Sequence, residues 1–157
     1  MTSAPLTLHW PTQDDTAHAA AILGPALRPG DVVLLEGDVG AGKTHFARAL
    51  IQSVLMEPED VPSPTFTLVQ VYDTRNGTLW HTDLYRVSAN TEVDELGLID
   101  AFEDAICLVE WPDRLGHLTP DSALTIAIQS SGDGRIAMLR WTDPRWSDRL
   151  QEFMSDA

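Results

Sequence analysis

Residues 32–50 read VVLLEGDVGAGKTHFARAL, and the pattern of these residues indicates the fold class. Residues 32–35 form a short, continuously apolar run that predicts a strand buried in a parallel sheet. A turn with three glycines follows, and from Phe46 onward apolar residues recur at the spacing of an amphipathic helix. The turn also carries Lys43, the only lysine of the chain. A buried strand, a glycine turn and a helix in this order predict an α/β fold.

The glycine turn matches the pattern G-x-x-x-x-G-K-[ST] without a gap. Glycines let backbone N–H groups converge on phosphate oxygens at φ angles that other residues resist, and the following helix directs its positive N-terminus to the same point. In this pattern the lysine reaches the β- and γ-phosphates and the next hydroxyl binds Mg²⁺. The residues predicted to hold nucleotide phosphates are Asp38, Val39, Gly40, Ala41, Gly42, Lys43 and Thr44.

The length and composition indicate one domain spanning residues 1–157. No apolar stretch reaches the roughly 18 residues of a membrane-spanning helix, and residues 1–15 lack the features of a secretory signal. The single cysteine, Cys107, lies in the apolar run AICLV, which predicts a small buried side chain rather than a reactive thiol. We therefore expect a cytoplasmic protein with no membrane association.

The net charge of −14 comes from 24 acidic residues against ten basic ones. Proteins that bind nucleic acid directly derive most of their affinity from basic patches that neutralise phosphates. The charge therefore argues against direct binding of RNA or DNA, and another subunit would have to hold such a substrate. It also repels ATP at long range, so local donors at the glycine turn must overcome that repulsion.

The rest of the chain predicts an α/β sandwich with a mixed, largely parallel central sheet and antiparallel hairpin excursions. Thr12 is placed to cap an Ala-rich helix that ends near Gly30. Turn signals at Asn76-Gly77 and at residues 131–134, SGDG, indicate two hairpins. The other predicted elements are an edge strand at 6–10, hairpin strands at 65–72, 78–84, 124–128 and 135–141, helical turns at 91–102 interrupted at Gly97, a buried strand at 106–109 closed by Glu110, and a closing helix after Pro144.

Two acidic residues that follow apolar segments are candidate partners for the metal ion of a phosphate-binding loop. Glu110 ends the apolar run ICLV, and Asp83 ends the segment TLWHT. Either could equally be a strand-end carboxylate that caps a loop. His81 is predicted to be a hydrogen-bonding structural residue, because an isolated His-x-Asp is a weak metal signal. Thr65, in the segment SPTF, could sense the γ-phosphate or could simply open a strand after a proline turn.

Five segments in one order, GDVGAGKT, SPTFTLV, HTDLYR, ELGL and ICLVEWP, closely resemble the TsaE (YjeE) family, the small ATPases of bacterial tRNA threonylcarbamoyladenosine (t6A) biosynthesis. The similarity runs over about residues 34–112. It implies a P-loop fold that binds ATP with Mg²⁺, hydrolyses it slowly without partners and associates with the TsaD and TsaB proteins. Those partners transfer a threonylcarbamoyl group to the adenosine beside the anticodon of ANN-reading tRNAs, and ATP turnover would reset their complex.

The resemblance also implies roles for particular residues. Residues 38–44 would hold the phosphates, while Thr44 and Glu110 would bind Mg²⁺. Asp83, the acid of the DLYR segment, would be the base or the group that orients water, and Thr65 would be the switch-like threonine.

Three further residues receive roles from the resemblance. Trp111 would lie near the nucleotide and the partner interface, and Thr12 and Arg135 would contact the surroundings of the base. The chain departs from the usual family pattern at Thr82, where an apolar or aromatic residue is common, and at His45, where a second threonine is common. Neither position has a role assigned above.

Other proteins with phosphate-binding loops fit the sequence less well. A small-molecule or nucleotide kinase usually brings several arginines to the phosphates, and only Arg86 is close in sequence to the candidate site. A GTPase would normally carry an Asn-Lys-x-Asp segment, and neither Asn76 nor Asn90 is followed by lysine. A non-catalytic, nucleotide-dependent assembly module differs from an ATPase only in turnover. The sequence favours a partner-stimulated ATPase, with a kinase and an assembly module as alternatives.

Overall fold

The fold is built on one mixed sheet with helices on its faces. The computed structural model describes residues 6–38, 40–57, 59–62, 68–87, 93 and 96–151. The strands are β1 Leu6–Trp10, β2 Val32–Glu36, β3 Val69–Thr74, β4 Gly77–Asp83, β5 Ile106–Glu110, β6 Leu124–Ser131 and β7 Gly134–Arg140. The α-helices are α1 Gln13–Leu23, α2 Lys43–Val54, α3 Leu98–Asp104 and α4 Arg145–Arg149, and short 3₁₀ segments span Gly24–Ala26 and Pro112–Leu118.

The seven described strands pair in the order β1-β7-β6-β2-β5-β4-β3. The four inner strands, β6, β2, β5 and β4, are parallel to one another, whereas β1, β7 and β3 pair antiparallel with their neighbours. This confirms the prediction of an α/β fold with a mixed sheet and antiparallel hairpins. Because β2, β4 and β5 are parallel, their carboxyl ends meet at one edge, where ligands bind in open α/β sheets.

Strand β2 is buried on both faces, as its continuous apolar run predicts. Val33 and Leu35 pack in the larger hydrophobic cluster, which also contains apolar residues of α1 and α2. Val32 and Leu34 pack in the second cluster, which contains residues of α3 and β5. Cys107 belongs to this second cluster, and its burial raises the pKa of the thiol to about 12. The prediction of a buried, unreactive cysteine side chain is therefore consistent with its environment.

Helix α1 begins as predicted but ends earlier. The Thr12 hydroxyl accepts a hydrogen bond from the Asp15 backbone, and the Asp15 carboxylate accepts one from the Thr12 backbone, which completes a capping box. The α-helix stops at Leu23 rather than near Gly30, and the chain continues into a 3₁₀ turn. Pro25 explains the early end, because proline provides no N–H for the helical ladder.

Both predicted hairpins are present. The first turns through residues 75–76, so Gly77 is already paired with Thr74 and uses its positive φ of 119° as the first residue of β4. The turn therefore lies one residue earlier than the Asn76-Gly77 pair suggested. The second turns through residues 132–133, between the paired Ser131 and Gly134. Strand β3 begins at Val69, and the predicted strand residues 65–67 lie outside the described residues.

The closing helix α4 is anchored to the end of β2 that lies away from the glycine loop. Asp31, which is fully buried, accepts a hydrogen bond from the Arg28 backbone at 2.8 Å and forms ion pairs with Arg145 at 3.3 Å and Arg149 at 2.5 Å. These contacts connect the C-terminal helix to the entry of the central strand. Within the described ranges, every helix is too short or too polar to cross a membrane.

Candidate functional site

A cavity of about 620 Å³ lies at the carboxyl ends of β2, β4 and β5. The loop after β2 and the first turn of α2 form one side, and residues at the ends of β4 and β5 form the other. Of the predicted site residues, Thr12 and Ala41 do not line it, while Val39 and Thr65 lie outside the described residues. The lining residues are Gln13, Asp38, Gly40, Gly42, Lys43, Thr44, His45, Asp83, Tyr85, Arg86, Glu110, Trp111 and Arg135.

The glycines of the loop adopt backbone conformations that other residues resist. Gly37, Gly40 and Gly42 have φ angles of 146°, 82° and 105°. Gly42 is the N-cap of α2, and within the part of the chain that the structure describes no side chain caps this end of the helix. The first N–H groups of α2 therefore remain available to an anion at the cavity.

The two predicted Mg²⁺ ligands are in direct contact although 66 residues separate them in the chain. The Thr44 hydroxyl donates a hydrogen bond of 2.8 Å to Oε1 of Glu110. The other carboxylate oxygen, Oε2, lies 2.7 Å from Nε2 of His81. The carboxylate is buried at the end of β5, and both of its oxygens have partners. Thr44, Glu110 and His81 thus form one hydrogen-bonded chain from α2 to β4.

The Lys43 side chain lies inside the cavity and folds back over the loop. Its ammonium donates hydrogen bonds to the carbonyl of Gly37 and, at 3.2 Å, to that of Asp38. It also lies 3.8 Å from the centre of the Trp111 ring, a cation–π contact. Burial lowers the pKa of Lys43, and the carboxylates of Glu110, Asp83 and two other acids partly oppose that effect. An anion that entered the cavity would restore the favourable surroundings of the charged amine.

Arg135, the second residue of β7, reaches the glycine loop. Its Nε donates to the carbonyl of Ala41 at 2.7 Å, and its Nη2 donates to that of Gly40 at 3.3 Å. A Cβ at Gly42 would lie 3.4 Å from the Arg135 Nε, so the guanidinium packs against the backbone of Gly42. Arg135 therefore supports the loop from the cavity that both line, and its contact with the surroundings of a base stays a prediction.

Asp83 lies directly opposite Glu110 in the parallel pair of β4 and β5. Its side chain is nearly buried and accepts a hydrogen bond of 2.9 Å from the backbone N–H of Tyr85. Tyr85 in turn packs edge-on against Trp111, with ring centres 4.8 Å apart. Trp111 has a positive φ of 59°, which turns the chain at the end of β5 and directs the indole ring to Lys43. The two predicted acids and the tryptophan thus share the cavity.

The prediction for Thr12 finds less support in this geometry. Its hydroxyl is engaged in the cap of α1, where it also donates to the Asp15 carboxylate at 2.9 Å. Thr12 lines a small neighbouring cavity of about 40 Å³ together with Gly42 and Arg135, next to the main one. Its contact with the surroundings of a base stays a prediction.

The oxygen atoms that Thr44 and Glu110 offer fit a Mg²⁺ ion bound together with phosphates. Among the described residues, no three His, Cys, Asp or Glu side chains come together as an all-protein metal centre. Thr44 and Glu110 offer a hydroxyl and a carboxylate, which are hard oxygen donors. Mg²⁺ typically binds through one or two carboxylates, substrate phosphates and water rather than in a protein cage. Thr44 and Glu110 are the residues that could hold it here.

Two features of the site were missed from the sequence. His81 was predicted to be a hydrogen-bonding structural residue, and it is buried and hydrogen-bonded, but its partner was not foreseen. That partner is the carboxylate of Glu110 on the neighbouring parallel strand. Tyr85 was not singled out, yet it lines the cavity and packs on Trp111. The two-residue period of a strand could have indicated that His81 lies near the predicted acids, because it places His81 and Asp83 on the same face of β4.

Comparisons with known proteins identify the family of this chain. Residues 10–137 match the family described as "Threonylcarbamoyl adenosine biosynthesis protein TsaE". The tRNA threonylcarbamoyladenosine biosynthesis protein TsaE of Rickettsia felis is 38% identical over 117 residues, which are 74% of this chain and 68% of that protein. The protein of the same name from Bacillus subtilis is 36% identical over 129 residues, which are 80% of each chain.

The fold also matches a solved structure. The crystal structure of YdiB from Bacillus subtilis superposes with a TM-score of 0.78 at 27% sequence identity, and the match covers 99% of this chain and 98% of the other. The similarity therefore extends over the whole sheet and its helices, well beyond the glycine loop.

Proposed function

The chain belongs to the TsaE family of threonylcarbamoyl adenosine biosynthesis proteins, and from this membership and the geometry of the cavity we propose that it is an ATPase of the t6A tRNA-modification machinery. Residues 1–157 act as one domain that binds ATP with Mg²⁺ and hydrolyses it slowly until partner subunits stimulate it. The observation that carries the proposal is the contact between Thr44 and Glu110 beside the glycine loop, because phosphate-binding loops need this hydroxyl–carboxylate pair to hold Mg²⁺.

The loop and Lys43 bind the phosphates. The N–H groups of residues 38–44 surround the phosphate oxygens, and the ammonium of Lys43 exchanges its loop carbonyls for the β- and γ-phosphates. The exchange offsets the cost of burying this amine, since a phosphate is a far better partner for it than a carbonyl or an aromatic ring.

Thr44, Glu110 and Asp83 provide the chemistry around the γ-phosphate. Thr44 and Glu110 hold Mg²⁺, which neutralises charge on the phosphates when it is bound. Asp83, on the neighbouring strand, orients the attacking water or accepts its proton. Thr65 acts as the switch residue that senses the γ-phosphate, and Trp111 borders both the nucleotide and the partner interface.

The partners in this proposal are the TsaD and TsaB proteins, which hold the tRNA. The net charge of −14 supports this division of labour, because the chain itself is too acidic to compete for RNA phosphates. Filter binding of the isolated chain to tRNA at low salt tests this part. We expect no binding in the sub-micromolar range, and an affinity in that range would contradict the proposed role of the partners.

The ATPase role is tested by measuring ATP hydrolysis with the chain alone and with TsaD and TsaB added. We expect slow turnover alone and a clear increase with both partners. Lys43→Ala and Glu110→Gln should each abolish the increase, while Arg140→Met, which removes only an exposed ion pair with Glu36, should leave it intact. Turnover that the partners do not raise would contradict the stimulation, and no turnover under either condition would favour the non-catalytic assembly module instead.

A further inference from the structure

His81 is fully buried behind the carboxylate of Glu110. Its Nε2 lies 2.7 Å from Oε2 of Glu110, on the side of the carboxylate that faces away from Thr44. Glu110 is itself only 1% exposed, so water has little access to Oε2. A buried carboxylate oxygen without a donor is costly, and His81 is the side chain that provides one here.

The hydrogen-bond inventory assigns the direction of this contact. The carboxylate oxygen can only accept, so Nε2 carries the hydrogen and donates it. The other ring nitrogen, Nδ1, is buried and has no partner among the described residues. The hydrogen bond from Nε2 is therefore the one polar contact that the ring makes with the described residues. The imidazole acts as a fixed donor aimed at one oxygen of Glu110.

Each oxygen of the Glu110 carboxylate thus has one donor, and the two donors lie on different elements. Thr44 holds Oε1 from the first turn of α2, and His81 holds Oε2 from β4. Rotation of the carboxylate away from Thr44 would break the contact of Oε2 with His81, the one buried donor that the described residues provide for this oxygen. His81 can therefore keep Glu110 in the orientation that a metal ion beside Thr44 requires.

We propose that His81 is a positioning residue for Mg²⁺, which fixes the Glu110 carboxylate toward Thr44 and so couples metal binding to nucleotide binding. This inference rests on the proposed function, because it needs Mg²⁺ and ATP at the site. Groups that hydrogen-bond a metal-binding carboxylate typically change metal affinity by about 10–100-fold when removed. His81 should act only on the part of nucleotide affinity that depends on Mg²⁺.

Calorimetry with the full chain tests whether His81 acts only on the Mg²⁺-dependent part of the nucleotide affinity. The probe is the non-hydrolysable analogue AMPPNP, titrated in EDTA and again in excess MgCl₂, and the ratio of the two affinities measures the effect of the metal. In His81→Asn the shorter amide cannot reach Glu110, and we expect the ratio to fall about tenfold while the affinity in EDTA stays within about twofold of wild type. In His81→Gln the amide nitrogen reaches the position of Nε2, so most of the ratio should return.

Thr82→Val is the matched control, because Thr82 is the next residue of β4 and points to the opposite face. Its hydroxyl is also buried without a partner among the described residues, so the substitution should leave the ratio unchanged. A purely structural role for His81 would lower both affinities together, and this result, or an unchanged ratio in His81→Asn, overturns the inference. A wild-type chain that does not bind AMPPNP at all would instead refute the proposed function.

Discussion

The ammonium of Lys43 lies 3.8 Å from the centre of the Trp111 indole ring, so the one lysine of the chain is held by an aromatic face and by two carbonyls of its own loop. None of these partners carries a full negative charge. A nucleotide phosphate would draw the ammonium away from the ring, because its full negative charge attracts the ammonium more strongly than neutral carbonyls or an aromatic face do. Departure of Lys43 from Trp111 is therefore a local event that should accompany nucleotide binding.

Nucleotide binding should change the tryptophan fluorescence through Trp111. Addition of ADP with MgCl₂ removes the cation from the indole face, and the emission of the wild-type chain should shift in proportion to site occupancy. Trp111→Phe should abolish the change. Trp141→Phe, which alters a half-buried tryptophan that does not line the cavity, should retain it. A change that persisted in Trp111→Phe would show that the ring does not report on the site.

Arg135 should support nucleotide affinity through the loop. Arg135→Met removes the donors to the carbonyls of Ala41 and Gly40, so the loop loses two contacts that hold it in place. Nucleotide binding must then also order the loop, which lowers the net affinity. Hydrogen bonds from charged groups are worth about 1.5–3 kcal/mol, which corresponds to roughly a tenfold or larger loss of affinity. Isothermal calorimetry with ADP measures the loss.

The control for this prediction lies on the same strand. Arg140 pairs with Glu36 at 3.0 Å, and both side chains are about half exposed, so the pair contributes at most about 1 kcal/mol to stability. Arg140→Met should bind ADP like wild type. Equal losses in Arg135→Met and Arg140→Met would point to a general effect of charge and would contradict the role of Arg135 in the loop.

Two glycines of the loop should respond differently to alanine. At Gly37 a Cβ would clash with the carbonyl oxygen of Ile128 and would also require a φ of 146°. At Gly40 no atom of the described residues lies within 4 Å of the added Cβ, and the φ of 82° is the unfavourable feature, at about 1–2 kcal/mol. Gly37→Ala should lower the free energy of unfolding, measured by urea denaturation, by clearly more than Gly40→Ala. The reverse order would contradict the loop geometry.

The Cys107 thiol should be inert in the folded protein. Burial raises its pKa from 9.0 to about 12, and the thiolate is the reactive form. At pH 8 this difference alone makes the native thiolate about a thousandfold rarer than that of an unfolded chain, which follows from the three pH units between the two values. Labelling with a thiol reagent should be slow in buffer and fast in urea. Rapid labelling of the native protein would show that the second hydrophobic cluster opens readily.

The same pKa shift predicts the direction of a pH effect. The folded state favours the protonated thiol of Cys107. The contribution of this thiol to the stability of the fold is fully present below about pH 9, and it is lost as the pH rises toward 12. Comparison with Cys107→Ala isolates the contribution of this group. The difference in the free energy of unfolding between the two proteins should shrink above pH 9, and a difference that stays constant through pH 11 would contradict the shift.

Local patterns in the sequence predicted most of the elements and the chemistry that each can carry. The apolar run 32–35 predicted a strand buried on both faces, and the glycines after it predicted a loop with positive φ angles, because both properties depend on residues close in the chain. Thr12 was correctly identified as the N-cap of α1 for the same reason. The end of α1 was missed, since the early stop depends on how Pro25 turns the chain.

Which of these groups come into contact depends on the packing of the whole fold. Glu110 contacts Thr44 and His81 because β4 and β5 pair in parallel in a particular register and because α2 packs over their ends. Arg135 supports the loop from 94 residues away through the hairpin of β6 and β7. Periodicity encodes which face of an element is buried, but it does not encode strand order, register or side-chain rotamer, since these are chosen by packing of the whole core.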